Sequence, residues 1–132
     1  MQKTKRDKPD DVAPDGSEIR FILDTKHGAT RAGLCEVRLG PGAISKPVRH
    51  RTVEEIWYFT RGEGWVWRCP PETESSPSQT VHVGPGDALL IPAGWSFQFK
   101  ASETGELRFL CYTCPPWPYA GEAVAVERGG FD

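Results

Sequence analysis

The stretch GAISKPVRHRTVEEIWYFTRG, residues 42–62, combines titratable side chains with an aromatic run. His50 and the adjacent pair Glu54 and Glu55 precede the run IWYF, and the stretch ends at Gly62. A short, aromatic-rich run that ends at a glycine turn is typical of a β-strand. We therefore predict a strand over residues 54–62 that carries titratable side chains at its start.

Similar β-rich runs recur along the chain. We predict strands over residues 18–24, 32–40, 54–62, 64–69, 80–83, 88–93, 96–101 and 107–113. Glycine and proline turns such as RGEG and VGPGD separate them, and no window has a helical stripe. Many short strands with regular turns indicate an all-β antiparallel sandwich or barrel. Because the sequence has no internal repeat, we expect one barrel.

The two ends differ from this pattern. Residues 1–15 are charged and contain proline, which predicts a flexible N-terminal arm. The barrel is then expected over residues 16–132, including a proline-rich C-terminal tail that begins CPPWPYAG. We expect this tail to wrap over the barrel, with Trp117 holding it in place.

Composition excludes several classes of function. A chain of 132 residues is long enough for one domain and one core. Its net charge of −2 provides no basic field for a phosphate backbone, so we expect no nucleic-acid partner. No apolar run approaches the roughly 20 residues that a membrane helix needs. The N-terminus lacks the apolar region of a secretory signal, and we therefore expect a cytoplasmic protein without membrane contact.

The cysteines are Cys35, Cys69, Cys111 and Cys114, and the last two form an isolated CxxC pair. A structural zinc site needs four ligands, and a second such pair is missing. In an extended strand, residues 111 and 114 would also point to opposite faces. We predict reduced, structural cysteines.

Two segments together resemble the cupin family. Residues 42–62 resemble the first cupin motif, G-x5-H-x-H-x3-4-E-x6-G, with Gly42, His50, Glu55 and Gly62 in register. Residues 86–101, GDALLIPAGWSFQFKA, resemble the second motif, G-x5-P-x-G-x2-H-x3-N, through their glycines and proline. The segment TCPPWP is similar to the end of small single-domain bacterial cupins. The resemblance implies a single-domain cupin jelly-roll β-barrel.

The chain departs from these motifs at the metal ligands. The resemblance implies that the four ligand positions of metal-binding cupins are Val48, His50, Glu55 and Phe97 here. Two of the four are apolar, so only His50 and Glu55 remain as metal donors, and affinity should fall steeply. We expect no cofactor, or at most a weakly held divalent cation.

The remaining pair suits acid–base chemistry. Imidazole titrates near neutral pH, and a nearby carboxylate would orient it and stabilise its charged form. The resemblance to cupins implies an isomerase, an epimerase or a cyclase, and the leading hypothesis makes His50 and Glu55 its catalytic pair. The alternatives are a dioxygenase-like metal enzyme with a depleted ligand set and a non-catalytic binding protein. The resemblance implies that the substrate-binding side chains are Val48, Trp57, Phe59, Trp95, Phe97 and Phe99.

These residues predict an aromatic cavity for a small molecule, either sugar-like or aromatic and polyketide-like. We also expect a homodimer formed by exchange of a strand or of the tail. Trp65 and Trp67 share one face of their strand, and Val66 and Arg68 share the other; sequence leaves open which face is buried. Exposed tryptophans would mark a dimer interface.

Overall fold

The computed structural model of the chain describes residues 9–13, 15–119 and 121–131. In this part of the chain, strands account for nearly all regular structure, together with one 3-10 turn at Thr25–His27. The strands are β1 (Asp11–Val12), β2 (Glu18–Leu23), β3 (Gly33–Leu39), β4 (Val48–His50), β5 (Glu54–Arg61), β6 (Gly64–Cys69), β7 (Gln79–Val83), β8 (Ala88–Ile91), β9 (Ser96–Ala101), β10 (Leu107–Cys114) and β11 (Ala123–Ala125).

The strands form two antiparallel sheets whose inner faces share one core. The first sheet has the order β1-β2-β3-β10-β5-β8, and the second has the order β11-β4-β9-β6-β7. Consecutive strands β4 and β5 belong to different sheets, so the chain crosses from one sheet to the other between His50 and Glu54. This arrangement confirms the predicted all-β jelly-roll barrel.

Strict alternation along β5 builds one wall of the core. Glu55, Trp57 and Phe59 are buried, whereas Ile56 and Tyr58 between them are exposed, as the two-residue period of a strand requires. The Trp57 ring stacks on Phe109 of β10 with centroids 4.3 Å apart. Burying a large aromatic side chain contributes roughly 1.5–3 kcal/mol, so these rings stabilise the barrel centre.

The structure contains all eight predicted strands, with bounds that differ by a residue or two. Sequence did not indicate β1, β4 or β11, which are two or three residues long. Such short segments are held by pairing with a neighbouring strand. They are too short for an alternating pattern to be visible.

The structure describes only part of the predicted flexible arm, residues 1–15. Residues 1–8 lie outside the described residues. Residues 11 and 12, however, pair with β2, and the backbone N–H of Asp10 donates to the carbonyl of Ile19 at 2.8 Å. Strand pairing at a sheet edge uses backbone groups, which the polar composition of residues 1–15 does not reveal.

The C-terminal tail wraps over the barrel. Its strand β11 pairs with β4, and the backbone N–H of Phe131 donates to the side chain of Gln98 at 2.9 Å. Val66 is fully buried, so Trp65 and Trp67 face outward. Gly130 packs so closely on Trp67 that a Cβ there would lie 2.3 Å from the indole ring. The chain's own tail therefore covers Trp67, and the homodimer remains a prediction.

Within the described part of the chain, we find no helix with the length and apolar character needed to cross a membrane.

Candidate functional site

A cavity of about 430 Å³ lies between the two sheets. Its walls are mainly apolar and aromatic, with a few titratable groups among them, which is the usual composition of a small-molecule site. The titratable groups besides cysteine and tyrosine are Asp15, His50 and Glu55. The aromatic side chains are Phe21, Trp57, Phe97, Phe99, Phe109, Trp117 and Tyr119.

His50 and Glu55 approach each other from different sheets. His50 ends β4 and Glu55 is the second residue of β5, so the crossing between the sheets brings them together. The side chain of Glu122 fixes this crossing, because it accepts hydrogen bonds from the backbone N–H groups of Thr52 at 2.6 Å and Val53 at 2.7 Å. Nδ1 of His50 consequently lies 3.6 Å from Oε2 of Glu55.

Strand alternation alone does not decide which glutamate faces inward, and the motif spacing from Glu55 to Gly62 favours Glu55. In the structure Glu54 is exposed and Glu55 is buried. Oε1 of Glu55 accepts a hydrogen bond of 2.8 Å from the indole N–H of Trp57, which leaves Oε2 as the oxygen nearest the imidazole. The carboxylate is therefore oriented by its own strand and presents its second oxygen to His50.

The imidazole is held by packing. The His50 ring makes edge contacts with Phe97 and Trp117, with ring centroids 5.0 Å and 4.9 Å away. Nδ1 is buried and has no hydrogen-bond partner among the residues that the structure describes. Such groups are rare, since a buried polar atom without a partner costs about 1–3 kcal/mol, and they call for an explanation. At 3.6 Å, Glu55 is close enough for electrostatic attraction but too far for a hydrogen bond.

At the two ligand positions of the cupin motifs that are apolar in this chain, the side chains are packed into the cavity wall. Val48 on β4 and Phe97 on β9 are cross-strand partners, and both are buried against the cavity. Over residues 9–13, 15–119 and 121–131, we find no group of three or more His, Cys, Asp or Glu side chains that could hold a metal ion. With hydrocarbon at two of four positions, the donor set does not fit a tightly held metal; a weakly held cation is the most that it supports.

Most of the predicted binding residues meet at the cavity. Val48, Trp57, Phe97 and Phe99 line it together with His50 and Glu55.

Two of the predicted binding residues do not line this cavity. Phe59 is fully buried and packs beneath Phe109 with ring centroids 5.0 Å apart, because it lies further along β5 than the cavity extends. Trp95 lies in the turn before β9, is half-buried and does not line the cavity.

Sequence reasoning missed Asp15 and Tyr119 and understated Trp117. Trp117 contacts His50 at the cavity wall, in addition to any role in holding the tail. The Tyr119 hydroxyl donates a short hydrogen bond to Asp24, which ties the tail to the turn after β2. Burial raises the pKa of Asp24, but the hydrogen bonds from Tyr119 and from the backbone of Lys26 lower it overall. No local pattern in the sequence indicates these long-range contacts.

All four cysteines are free. Cys111 is buried and Cys114 is exposed, as predicted from the alternation of a strand. Cys35 and Cys111 are cross-strand partners on β3 and β10, and both line the cavity. Burial, together with the neighbouring Cys35 and Glu55, raises the pKa of the Cys111 thiol well above its ordinary value. Cys111 is therefore a protonated, structural thiol.

The cupin domain family matches residues 35–113, more than half of the chain. This chain belongs to the cupin family. The match includes both motif segments and all of the candidate site except the N-terminal residues and the tail.

Individual relatives add detail to this assignment. An uncharacterized protein of Methanocaldococcus jannaschii is 25% identical over 109 residues, which is 82% of this chain and 81% of that protein. Among solved structures, the polyketide cyclase RemF from Streptomyces resistomycificus is 26% identical with a TM-score of 0.64. That similarity covers 95% of this cupin and 79% of RemF.

Two enzymes of oxalate are similar in fold alone. Oxalate decarboxylase from Bacillus subtilis has a TM-score of 0.73 at 20% identity, over 93% of this cupin and 29% of the decarboxylase. A recombinant oxalate oxidase has a TM-score of 0.74 at 18% identity, over 95% of this cupin and 62% of the oxidase. This cupin spans less than a third of the decarboxylase.

Proposed function

We propose that this cupin binds a small ring compound in its cavity and catalyses proton transfer on it, as an isomerase, an epimerase or a cyclase. His50 is the general base and acid, and Glu55 is its partner. The observation that carries the proposal is the buried contact of 3.6 Å between Nδ1 of His50 and Oε2 of Glu55 on the wall of an aromatic cavity.

The proposed step is removal of a proton from a carbon next to a carbonyl group. Imidazole takes the proton, and the resulting imidazolium is attracted by the carboxylate of Glu55, which lies in surroundings of low polarity. The C–H electron pair moves into the enolate that forms. The proton then returns, to the other face in an epimerisation or to another atom in an isomerisation. A cyclase would use the same enolate as the nucleophile: its carbon attacks a second carbonyl group of the substrate, the C=O π pair moves to that oxygen, and the imidazolium returns the proton there.

The cavity walls support a ring-shaped substrate. Trp57, Phe97 and Phe99 provide aromatic faces and edges against which a planar ring can pack. The 26% identity with a polyketide cyclase over 95% of this chain favours the cyclase version of the proposal. The free cysteines suit a reducing compartment, so the proposal places the protein in the cytoplasm.

The experiment measures exchange of solvent deuterium into α-tetralone, an uncharged bicyclic ketone with hydrogens next to its carbonyl group. Proton NMR in deuterium oxide follows the loss of the signal of these hydrogens, with and without the protein. We expect exchange above the buffer rate, reduced about 100-fold or more in His50→Gln, as general acid–base catalysis requires. Glu55→Gln should also reduce it.

His82→Gln is the matched control, because His82 is an exposed histidine that lies 3.8 Å from Glu63 outside the cavity. It should exchange at the wild-type rate. Exchange equal to the buffer rate in the wild-type protein, or unchanged in His50→Gln, would contradict proton-transfer catalysis. Binding of α-tetralone without exchange would favour a non-catalytic binding protein.

A further inference from the structure

Asp15 is a buried carboxyl group at the cavity that the cupin motifs do not include. It lies just before β2, lines the cavity and is only 9% exposed. Its Oδ1 accepts hydrogen bonds from the backbone N–H of Ser17 at 2.9 Å and from the Ser17 hydroxyl at 2.5 Å. Both bonds go to Oδ1, and because Asp15 lines the cavity, its carboxyl group is within reach of a molecule there.

The charged side chains that line the cavity are mainly acidic. Its described lining contains the carboxyl groups of Asp15 and Glu55, one histidine, and neither lysine nor arginine. Arg20, the buried arginine nearest in sequence to Asp15, lies on β2 between Ile19 and Phe21, which line the cavity, so it occupies the opposite face of the strand. An anionic ligand would therefore meet two carboxyl groups without a cation other than His50.

We propose that Asp15 binds a hydroxyl group of the ligand and, together with Glu55, makes the cavity selective for uncharged ring compounds over anionic ones. This inference rests on the cavity being the binding site, as the proposed function requires, but it does not depend on catalysis. It separates the ligand classes that sequence left open: a nucleotide-linked sugar carries phosphate charges that this lining does not neutralise, whereas a hydroxylated aromatic ring carries none.

Electrostatics supports the selectivity. Two like charges a few ångströms apart repel each other, and an apolar wall screens this repulsion little. Burial also raises the pKa of Asp15 above its ordinary value, although the Ser17 hydrogen bonds and the nearby His50 act in the opposite direction. Hydrogen bonds to charged groups are the stronger ones, so the ionised form of Asp15 is a good acceptor for a ligand hydroxyl.

The test compares two probes that share one ring system and differ in charge, α-naphthol and α-naphthoate. Their binding is measured at neutral pH by isothermal titration calorimetry. The wild-type protein should bind α-naphthol at least about tenfold more tightly than α-naphthoate, the factor that 1.4 kcal/mol produces. Equal affinities, or a preference for the anion, would overturn the proposal, and this result needs no variant.

Asp15→Asn then tests the residue itself, because asparagine keeps the shape and the acceptor oxygen for Ser17 but not the charge. We expect weaker binding of α-naphthol and tighter binding of α-naphthoate, so that the preference falls about tenfold. The control is Glu127→Gln, which removes one exposed acidic charge outside the cavity and should leave both affinities unchanged. A preference that is unchanged in a folded Asp15→Asn protein would overturn the assignment to Asp15.

The two proposals fail in different ways. If the ketone exchange is absent but the probe preference depends on Asp15, catalysis is wrong and the ligand selectivity stands. If exchange depends on His50 but the probes bind equally, the selectivity is wrong and the catalytic proposal stands.

Discussion

The indole N–H of Trp57 donates a hydrogen bond of 2.8 Å to Oε1 of Glu55, two residues earlier on the same strand. Both side chains point inward because alternate residues of β5 share a face. The bond holds one oxygen of the carboxylate and leaves the other 3.6 Å from Nδ1 of His50. A structural tryptophan of the core thereby orients a proposed catalytic group.

Trp57→Phe should separate the two roles of Trp57, which are packing in the core and orienting Glu55. Phenylalanine keeps most of the packing but removes the donor, which leaves a buried carboxylate oxygen without its partner. We expect a loss of roughly 1–3 kcal/mol in the free energy of unfolding, measured by urea denaturation. Exchange of α-tetralone should fall while the protein remains folded. The control is Trp65→Phe, at an outward-facing residue of β6, which should change neither property. Wild-type exchange in Trp57→Phe would show that this hydrogen bond does not orient Glu55 for catalysis.

Glu122 should make stability depend on pH. Burial raises its pKa, but the hydrogen bonds from Thr52 and Val53 lower it overall below the ordinary value of 4.5. A carboxyl group with a depressed folded-state pKa stabilises the protein above its unfolded-state pKa, and this contribution is lost as pH falls through the folded-state value. Glu122→Gln should therefore be less stable by roughly 1–2 kcal/mol at neutral pH, and the difference should shrink below about pH 4.

Urea denaturation across pH checks this prediction, with Glu72→Gln in the exposed loop before β7 as the control. A difference that stays constant from neutral pH to strongly acidic pH would mean that the charge of Glu122 contributes nothing to the fold.

The cysteines should differ sharply in reactivity. Cys114 is exposed, whereas Cys35 and Cys111 are buried and the pKa of Cys111 is raised by burial. Because the thiolate is the reactive form, Ellman's reagent should modify Cys114 rapidly in the native protein and the two buried thiols only in denaturant. Cys114→Ser should remove the rapid phase. Cys69 is half-buried and should react more slowly than Cys114. Rapid modification of more than one thiol in Cys114→Ser would contradict the described burial.

The outer face of the first sheet offers the predicted homodimer an interface other than the strand or tail exchange expected from sequence. Ile56, Tyr58, Leu90 and Tyr112 are 43–49% exposed there, and Ile56 is the cross-strand neighbour of both Leu90 and Tyr112. Adjacent exposed apolar side chains are typical of a contact with a second copy. Ile56→Glu should weaken the dimer about 100-fold, since like charges brought together cost several kcal/mol. Light scattering after gel filtration measures this, with Thr80→Glu on β7 as the control; a monomeric wild-type protein would contradict the prediction.

The barrel was predictable because the sequence patterns that indicate its strands are local. Alternation and turn glycines, such as the Gly62 that ends the first motif, identify strands one at a time, and two spaced motifs identify their arrangement. The inward direction of Trp57 and Phe97 followed from the same period of two. The spacing from Glu55 to Gly62 also selected the correct glutamate.

The residues that complete the site from the two ends of the chain were not predictable, because their positions depend on contacts between residues far apart in sequence. Asp15 reaches the cavity from the N-terminal side, and Trp117 reaches His50 from the tail. Glu122 accepts hydrogen bonds from residues about 70 positions earlier, which no spacing rule indicates. The position of Phe59 outside the described cavity has a different origin: alternation tells which face a side chain occupies but not how far along the strand the cavity extends.

The most direct test of the central claim is the rate of deuterium exchange into α-tetralone by protein stripped of metal with a chelator, compared with the same protein resupplied with divalent cations. Because the imidazole of His50 and the carboxylate of Glu55 carry the chemistry in this account, and Val48 and Phe97 occupy the other ligand positions, the stripped wild-type protein should keep its full rate and His50→Gln should lose it. Loss of exchange on stripping, with recovery on adding one equivalent of a divalent metal, would contradict the account.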